Sequence, residues 1–312
     1  MEKLFIEPSP HIKSTMSTQK IMLHVLIALF PALTAATVIF GLRALFLTVV
    51  CAASCVIFEW LFRKITKREQ TISDLSAVVT GVLLAFNLPA NLPIYMAVIG
   101  SFVAIVVVKQ MFGGIGQNFA NPAITARIVL MLSFTSSMTT WVKPFWYNIA
   151  ETDAVTGATP LVADELPSVM DMLLGVRGGC LGETCAAALI IGGIYLAAMR
   201  IISPVTPVAF VGTVALFSLI GGQDVVYSVL SGGLLLGAIF MATDYATTPL
   251  TWKGKLIFGI GCGLITCLIR NFGSMPEGVS YSILLMNILT PYIDKLTRPK
   301  PFGSRTKKEG KA

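Results

Sequence analysis

Charged side chains are scarce in this 312-residue chain, in which Asp, Glu, Lys and Arg together make up 12% of the sequence. A soluble domain carries about 25% charged residues, so this scarcity argues against a soluble protein. Hydrophobic residues instead account for 55% of the chain, and its mean hydropathy is +0.79. The composition therefore predicts an integral membrane protein.

Residues that commonly bind metal ions are also few. The two histidines, His11 and His24, are too separated for a metal site. Six cysteines form three close pairs without CxxC spacing: Cys51/Cys55, Cys180/Cys185 and Cys262/Cys267. Two pairs lie in apolar segments, where cysteine behaves as a small hydrophobic residue, so we expect no zinc or iron–sulfur site from this chain alone. The loop residues Cys180 and Cys185 are compatible with either a disulfide or two free thiols.

The first 20 residues lack the apolar core of a cleavable signal peptide, since they include Glu2, Glu7, Lys13 and Lys20. We therefore expect the first membrane helix to be retained. The net charge of +7 does not predict a nucleic-acid partner, because in a membrane protein an excess of Lys and Arg usually reports orientation.

Apolar segments of about 20 residues recur between polar breaks, which is typical of a helical bundle and not of a β-barrel. The predicted fold is an all-α integral membrane protein with about ten transmembrane helices. The predicted spans are 21–40, 44–62, 71–88, 93–110, 121–138, 185–202, 205–221, 227–244, 255–271 and 279–296.

Basic residues are unevenly distributed between the two predicted sides. With a cytoplasmic N-terminus, nineteen of the 23 Lys and Arg residues fall inside, including the run Arg63–Arg68 and the C-terminal tail. The four exceptions are Arg43, Lys143, Arg177 and Arg270. The positive-inside rule then predicts that both termini are cytoplasmic, and that the Trp141–Thr184 loop lies on the outer face of the cell membrane.

The ten spans divide into two halves of five, and the odd number means that the second half is an inverted repeat of the first. Leu75–Pro89 in the third span resembles Leu230–Asp244 in the eighth. A Gly- and Pro-containing break also precedes both the fifth and the tenth span, at Gly113–Pro122 and Asn271–Gly278. Unwound backbone in a membrane must line a cavity or lie buried in protein, so these breaks predict interrupted helices around a site near the midplane.

This organisation predicts five regions. They are a cytoplasmic N-terminal segment (1–20), a first five-helix repeat (21–138), an extracytoplasmic loop (139–184), a second five-helix repeat (185–296) and a basic cytoplasmic tail (297–312).

The glycine run Gly113–Gly116 superficially resembles a phosphate-binding loop, but no strand precedes it, so a dinucleotide site is not predicted. Close helix packing or a span break is the favoured interpretation. The amides of Gln117, Asn118 and Asn121 leave a cofactor or ion passage open as an alternative.

Carboxylates near the span ends are candidate ion-coupling residues, because acids inside a bilayer are costly. Asp74 and Asp244 lie in the two spans that resemble each other, and both a coupling role and an interfacial position are open for them. Glu59, beside Trp60 and Arg63, is expected to be an interfacial carboxylate that reaches water.

The predicted outer loop contains Asp153–Thr159, with the sequence DAVTGAT, followed by a proline. An ordinary turn is one interpretation, because Thr-Gly and Thr-Pro dipeptides are common in loops. The other is that Thr159 presents its hydroxyl after two small residues, Gly157 and Ala158, and before a proline that restricts the backbone. A bulky group could approach such a hydroxyl with little hindrance.

This D-x-x-[ST]-G-A-T pattern resembles the flavinylation motif of two related families, the D subunit of the Rnf complex and the B subunit of the sodium-pumping NADH:quinone reductase. The resemblance spans nearly the whole chain through the segments SPHI, GGIGQNFANPA, MATDYATTP and PEGVSYSILLMN. Without the extended N-terminal region of the quinone-reductase subunit, the chain is more similar to the shorter Rnf D subunit.

The resemblance implies a membrane subunit of a ferredoxin:NAD⁺ oxidoreductase that couples electron flow to Na⁺ or H⁺ transport. FMN would be attached through its phosphate to Thr159 by a flavin transferase on the outer face, with Asp153, Thr156, Gly157 and Ala158 completing the motif. The chain would carry electrons, while NAD chemistry would take place on partner subunits bearing flavins and iron–sulfur clusters. A second flavin, riboflavin held without a covalent bond, is also implied, with no residues assigned to it.

Two other functions are open from the sequence. Inverted repeats with interrupted helices also occur in secondary transporters of small solutes, and a flavin-free purified protein would favour that function. A structural subunit could instead position its partners through the acidic outer loop. Electron transfer that is unchanged by Thr159→Ala would favour that role.

Overall fold

Helices form most of the structure, a computed structural model that describes residues 16–145, 156–157, 167–273 and 278–299. Before residue 146 lie α1 (Thr18–Phe40), α2 (Leu42–Ile65), α3 (Ser76–Phe86), α4 (Ile94–Phe102, continued by the π-helical segment Val103–Gln110), α5 (Pro122–Ser133), α6 (Thr135–Met138) and strand β1 (Trp141–Val142). After it lie β2 (Thr156–Gly157), α7 (Val169–Leu174), α8 (Ala186–Ala198), α9 (Val205–Ile220), α10 (Val225–Leu230), α11 (Leu234–Leu236, continued by the π-helical segment Gly237–Met241), α12 (Trp252–Phe272) and α13 (Val279–Thr297).

Each predicted span coincides with one or more helices, but these differ in length. In the described part of the chain, α1, α2 and α12 are long and apolar enough to cross a membrane, with hydropathies of 2.2, 2.2 and 1.5. Shorter apolar helices occupy five further spans: α3, α4 with its π-helical continuation, α5, α8 and α9. The helical class is confirmed, while the count of ten spans stays a prediction.

One apolar core connects the helices of both halves, and it buries Phe86 of α3, Phe210 of α9 and Phe258 of α12. Large apolar side chains also cover the outside of the bundle, for example Phe30, Val38 and Val208. An apolar exterior around an apolar core is expected of a protein surrounded by lipid, since water would penalise such a surface.

The predicted break before the fifth span is confirmed as irregular backbone. Gly113, Gly114 and Gly116 have φ angles of 123°, 104° and 83°, a region that glycine adopts readily. The chain re-enters a helix at Asn121, whose side-chain oxygen accepts hydrogen bonds from the amides of Ala123 and Ile124 at 3.1 and 3.3 Å. Proline follows at the first helical position, where its missing N–H costs nothing, so this sequence starts α5 sharply.

The eighth predicted span is a broken helix. α10 ends at Leu230, non-helical residues 231–233 follow, and the helix resumes as α11 and its π-helical segment. Gly232 has a φ angle of 63° within this break. Short π-helical segments are often found at functional sites. The two that the described residues contain lead to one cavity.

A recurring contact relates the two halves. Lys109, near the end of the fourth predicted span, donates to the hydroxyl of Ser76 at the start of α3. Arg270, near the end of the ninth predicted span, donates to the backbone oxygens of Ser228 and Ser231 at 2.7 and 3.0 Å. Both serines belong to the eighth predicted span. Both contacts join a basic residue to serines of the preceding span, through a hydroxyl in the first case and through backbone oxygens in the second. The inverted arrangement itself stays a prediction, and residues 274–277 of the second break lie outside the described residues.

The end of the predicted outer loop is buried in the bundle. Residues Arg177–Thr184 are buried, and the amides of Leu181 and Gly182 donate to the carbonyls of Leu88 and Phe86 at 3.0 and 2.9 Å. A side chain at position 182 would collide with Phe86, which explains the glycine. This segment therefore packs against the C-terminal end of α3.

The orientation can be tested by labelling single cysteines in a background without reactive thiols. Cysteine at Ser304 is expected to react only with a reagent that reaches the cytoplasm, and cysteine at Val162 only from outside, because basic residues concentrate on the predicted inner side. Both positions lie outside the described residues. Labelling of both from the same side would contradict the topology and the external placement of the loop.

Candidate functional site

The middle of the predicted flavinylation motif forms a short strand. Thr156 and Gly157 make up β2, which pairs antiparallel with β1, so that Gly157 lies opposite Trp141 and Thr156 opposite Val142. Trp141 and Val142 are buried. The pairing therefore anchors the motif beyond the C-terminal end of α5 and α6. Asp153, Ala158 and Thr159 lie outside the described residues.

A cavity of about 90 Å³ lies inside the bundle. It is bordered by the starts of α3 and α5, by the end of the first π-helical segment, and by the residues that follow the second π-helical segment. Its polar lining includes Ser76, Lys109, Asn118, Asn121 and Asp244. Apolar residues of α1, α3 and α8 cover the other sides: Ile21, Met22, Val25, Val79, Leu83 and Leu196. The cavity thus combines apolar walls with a few polar groups, as cofactor sites commonly do.

Lys109 is the central polar residue of this cavity. Its side chain is only 2% exposed, and its ammonium donates to Glu59 Oε2 at 2.7 Å and to Ser76 Oγ at 2.6 Å. A buried ammonium requires such partners because its transfer from water is costly. Ser76 and Glu59 therefore hold the Lys109 charge in place.

Glu59 is not an interfacial carboxylate that reaches water, so the interpretation based on its neighbours in sequence is wrong. Its side chain is fully buried, accepts a hydrogen bond from Thr71 Oγ1 at 2.8 Å and lies 3.8 Å from Arg63 Nε. The decisive partner, Lys109, is 50 residues away in sequence. Helix packing turns this face of α2 towards Lys109, and local sequence cannot reveal such a contact.

One candidate coupling acid, Asp244, lines this cavity, and the other, Asp74, contacts the lining residue Ser76. Asp74 Oδ1 accepts hydrogen bonds from the Ser76 amide at 2.8 Å and from its hydroxyl at 2.5 Å, and Ser76 contacts Lys109. Asp244 lines the cavity directly and accepts a hydrogen bond from Thr247 Oγ1 at 3.2 Å. Asp244 and Ser76, which donates to Asp74, thus line the same cavity as the buried Lys109.

Some polar atoms near the cavity lack partners among the described residues. Asn118 Oδ1 is buried without a hydrogen bond, and so are both amide atoms of Gln110, whose side chain is fully buried. Buried polar groups are nearly always satisfied in native proteins, so such atoms point to water or a bound group. Asn118 belongs to the cavity lining and presents an acceptor there.

A second buried charged cluster is one that sequence reasoning missed. Arg127 of α5 donates through Nη1 to Glu183 Oε1 at 2.8 Å and to Asn87 Oδ1 at 2.6 Å. The nineteen basic residues assigned to the inner side include Arg127 and Lys109, but both are buried, so they do not report orientation. An arginine within an apolar span was the signal that could have identified this cluster.

Arg177 joins this cluster at the end of the loop. Its Nη2 donates to the Glu183 backbone oxygen at 2.7 Å. Burial lowers the pKa of Arg177 to about 10, while the Glu183 carboxylate opposes that change. The guanidinium therefore remains charged at neutral pH and holds the buried loop segment to the bundle.

All six cysteines are free thiols, so Cys180 and Cys185 do not pair. Cys180 Sγ lies 3.5 Å from Arg127 Nη2 and donates to the Asn87 backbone oxygen at 3.3 Å, while Cys185 Sγ contacts the Leu173 carbonyl. Cys51, Cys55, Cys262 and Cys267 are buried, as expected of small hydrophobic residues. The described residues contain no cluster of three or more His, Cys, Asp or Glu that could hold a metal ion.

Comparison with known proteins gives a match over nearly the whole chain. A model of the NQR2, RnfD, RnfE family matches residues 5–303. Similar curated proteins include one from Acetobacterium woodii, named as the D subunit of a Na⁺-translocating ferredoxin:NAD⁺ oxidoreductase complex, which is 49% identical over 99% of this chain and 98% of its own length.

Two further relatives carry related names. A Clostridium ljungdahlii protein, named as the D subunit of a proton-translocating ferredoxin:NAD⁺ oxidoreductase complex, is 42% identical over 96% of both chains. A Stutzerimonas stutzeri protein, named as the D subunit of an ion-translocating oxidoreductase complex, is 36% identical over 92% of both chains. These names agree with the resemblance found in the sequence motifs.

Proposed function

This chain belongs to the NQR2, RnfD, RnfE family, and we propose that it is a membrane subunit of an ion-translocating ferredoxin:NAD⁺ oxidoreductase complex in the cell membrane. The observation that carries the proposal is its full-length similarity to relatives named as the D subunits of such complexes. The other subunits of the complex are its expected partners, and ferredoxin and NAD⁺ would react on them.

FMN bound covalently to Thr159 is the first proposed electron carrier. The flavinylation motif supports this assignment, and so does the pairing of β2 with β1, since Thr159 follows two residues after that strand. The FMN ring would supply one- and two-electron chemistry, while the protein sets its position. A flavin transferase would need to reach Thr159 from the outer face.

The cavity around Lys109 is the proposed site of the second flavin, riboflavin without a covalent bond. The chemistry of its lining suits such a ring, because apolar side chains of α1, α3 and α8 could cover the ring faces. At about 90 Å³ the cavity is smaller than a usual ligand pocket, so these side chains would have to move apart when the ring binds. The polar edge of the ring could meet the Asn118 acceptor, which has no described partner. The cavity lies at the N-terminal end of α5, and the motif strand lies beyond its other end. Twelve helical residues span about 18 Å, so the two flavins would lie on opposite sides of the bundle.

Asp74 and Asp244 are the proposed ion-coupling residues, because both approach the same cavity as Lys109. A change of charge on a flavin bound there would be felt by both carboxylates, since electrostatic interactions are strong in a site with little water. Relatives named for Na⁺ and for protons are both close to this chain, so either ion is compatible with the family.

The function can be tested with the complete complex in proteoliposomes. Reduced ferredoxin and NAD⁺ are expected to drive Na⁺ or H⁺ uptake, which a sodium electrode and a pH-sensitive dye distinguish. Asp74→Asn and Asp244→Asn are each expected to lower the ions moved per NADH by at least about fivefold, because each removes a half-buried carboxylate charge close to Lys109 or its partner Ser76. NADH formation should change less than ion uptake.

Asp224→Asn is a matched control for these two variants. Asp224 caps α10, where its Oδ1 accepts from the Val226 amide at 2.8 Å, and Asn caps helices equally well. This control should leave both activities unchanged. Equal losses of ion uptake and NADH formation in the Asp74 and Asp244 variants would indicate an assembly defect and contradict coupling. NADH formation by the unaltered complex without any ion movement would contradict the proposed function itself.

A further inference from the structure

A second cavity, of about 320 Å³, lies at the end of the bundle where α8 ends and α9 and α12 begin. Ile201, Ile202, Thr243 and Tyr245 line both this cavity and the one around Lys109. Tyr245 donates its hydroxyl hydrogen to the Ile201 carbonyl, which ties these shared residues together. The two cavities are therefore neighbours separated by a common wall.

The second cavity has the electrostatics of an anion site. Arg200 and Lys255 are its charged lining residues, and none of its eleven lining residues is acidic. Neither cation takes part in an ion pair of the described residues. Asp244 belongs only to the lining of the neighbouring cavity, where Thr247 holds its carboxylate.

Helix ends add to the positive potential of this cavity. The first turn of α12 carries Lys255 and no acidic residue, and α9 begins directly after Pro204 in the cavity lining. Helix N-termini carry partial positive charge, so a lysine there is unfavourable unless an anion is nearby. Two basic side chains and the N-terminal end of α9 thus line one space.

An apolar groove of about 180 Å³ continues from this cavity along the outside of the bundle. Ala197, Ile202 and Pro204 line both spaces, so the groove and the cavity share an entrance. From there the groove follows one face of α8 past Ile194 to Ile190. Residues spaced by three or four positions form one helix stripe, and this stripe is about 10 Å long.

We propose that the cavity and groove together bind one anionic phospholipid, with its phosphate between Arg200 and Lys255 and an acyl chain in the groove. A free phosphate would leave the apolar groove empty, and a choline headgroup would bring a third cation towards the two basic side chains. Basic pockets between helices at the cytoplasmic surface are known to select such headgroups. This end of the bundle is the one predicted to be cytoplasmic from the distribution of basic residues.

The proposal can be tested by photo-crosslinking in the purified complete complex. The probe is a phosphatidylglycerol with a photoreactive diazirine in one acyl chain, supplied in mixed micelles. Adducts mapped by mass spectrometry are expected on the peptides that contain Ile190, Ile194 and Val208. The phosphatidylcholine analogue with the same chains should give at least about fivefold less adduct, because it carries no net charge. Inorganic phosphate at millimolar concentration should not compete.

Paired variants separate the headgroup site from the groove. The double variant Arg200→Gln/Lys255→Gln is expected to lose most phosphatidylglycerol adduct, while Lys253→Gln, an exposed lysine of the same helix turn outside the lining, should not. Ile194→Trp should block the groove, whereas Ile191→Trp, on an exposed neighbouring position outside it, should not.

Several results would overturn the proposal. Equal adducts with both lipids, full competition by inorganic phosphate, or unchanged labelling of the Arg200/Lys255 double variant would each exclude a selective anionic lipid. Crosslinks from this groove to another subunit of the complex, in place of lipid, would show that a protein partner covers it.

Discussion

Thr159→Ala is expected to abolish covalent flavin attachment while leaving a stable, membrane-inserted chain. We propose that the phosphoester forms on the last threonine of the DAVTGAT segment, and alanine removes the oxygen that would form this bond. The described part of the outer loop is anchored elsewhere, through the pairing of β2 with β1 and the burial of Arg177–Thr184. Loss of one loop hydroxyl should therefore not unfold the bundle.

Flavin fluorescence of the denatured polypeptide in a gel measures this effect, and peptide mass spectrometry locates the FMN mass. The chain must be co-expressed with a flavin transferase. A complete loss of fluorescence from Thr159→Ala is expected, together with normal membrane insertion and expression.

Thr156→Ser is the matched control, because the motif accepts either hydroxyl residue at this position. A Ser or Thr hydroxyl can bond to nearby backbone and shape a turn, and serine preserves that role. We expect full labelling of this variant. FMN found on Thr156, or fluorescence that persists in Thr159→Ala, would contradict the assignment. If the unaltered chain carries no covalent flavin despite the transferase, the transporter function becomes the better interpretation.

Breaking the Glu59–Lys109 pair is expected to cause the largest loss of stability. Glu59→Gln leaves the buried Lys109 ammonium without its ion-pair partner, whereas Lys109→Met leaves Glu59 only the longer contact with Arg63 at 3.8 Å. Removing one partner of a buried pair typically costs about 3–5 kcal/mol. Both side chains are almost fully buried, and the two charged atoms are 2.7 Å apart. The free energy of unfolding should fall by that amount, which denaturation in mixed micelles can measure.

The double variant Glu59→Gln/Lys109→Met separates the cost of leaving one buried charge without its partner from the loss of the ion pair itself. With both charges removed, no charge of this pair remains buried, so the double variant should be more stable than either single variant. Glu69→Gln, on an exposed carboxylate beyond the end of α2, is the control and should change stability by less than about 0.5 kcal/mol. Single variants as stable as this control would show that the pair does not stabilise the fold.

Membrane character, the positions of the helices and the family resemblance of the DAVTGAT segment were accessible from the sequence, because each depends on residues close together in the chain. Hydropathy over about 20 residues predicts a helix that can enter lipid, and the helices of the structure coincide with those segments. The Gly113–Pro122 break was likewise predicted from local residues, since glycine conformation, the Asn121 cap and Pro122 act over a few positions. The DAVTGAT motif and the flanking segments pointed to the same family as the comparisons with known proteins.

Only the tertiary structure decided which charged residues are buried together. Glu59 and Lys109 are 50 residues apart, and Arg127 and Glu183 are 56 apart. Their pairing depends on how helices pack. The residues next to Glu59 in the sequence therefore led to the wrong prediction that its carboxylate reaches water. Asp74 and Asp244 were candidates from sequence, but their approach to one cavity required helices from both halves. Local sequence determines where helices form, because helix formation and membrane entry depend on short-range interactions. The site instead depends on contacts between segments that are far apart in the sequence, and only the packing of the helices brings those segments together.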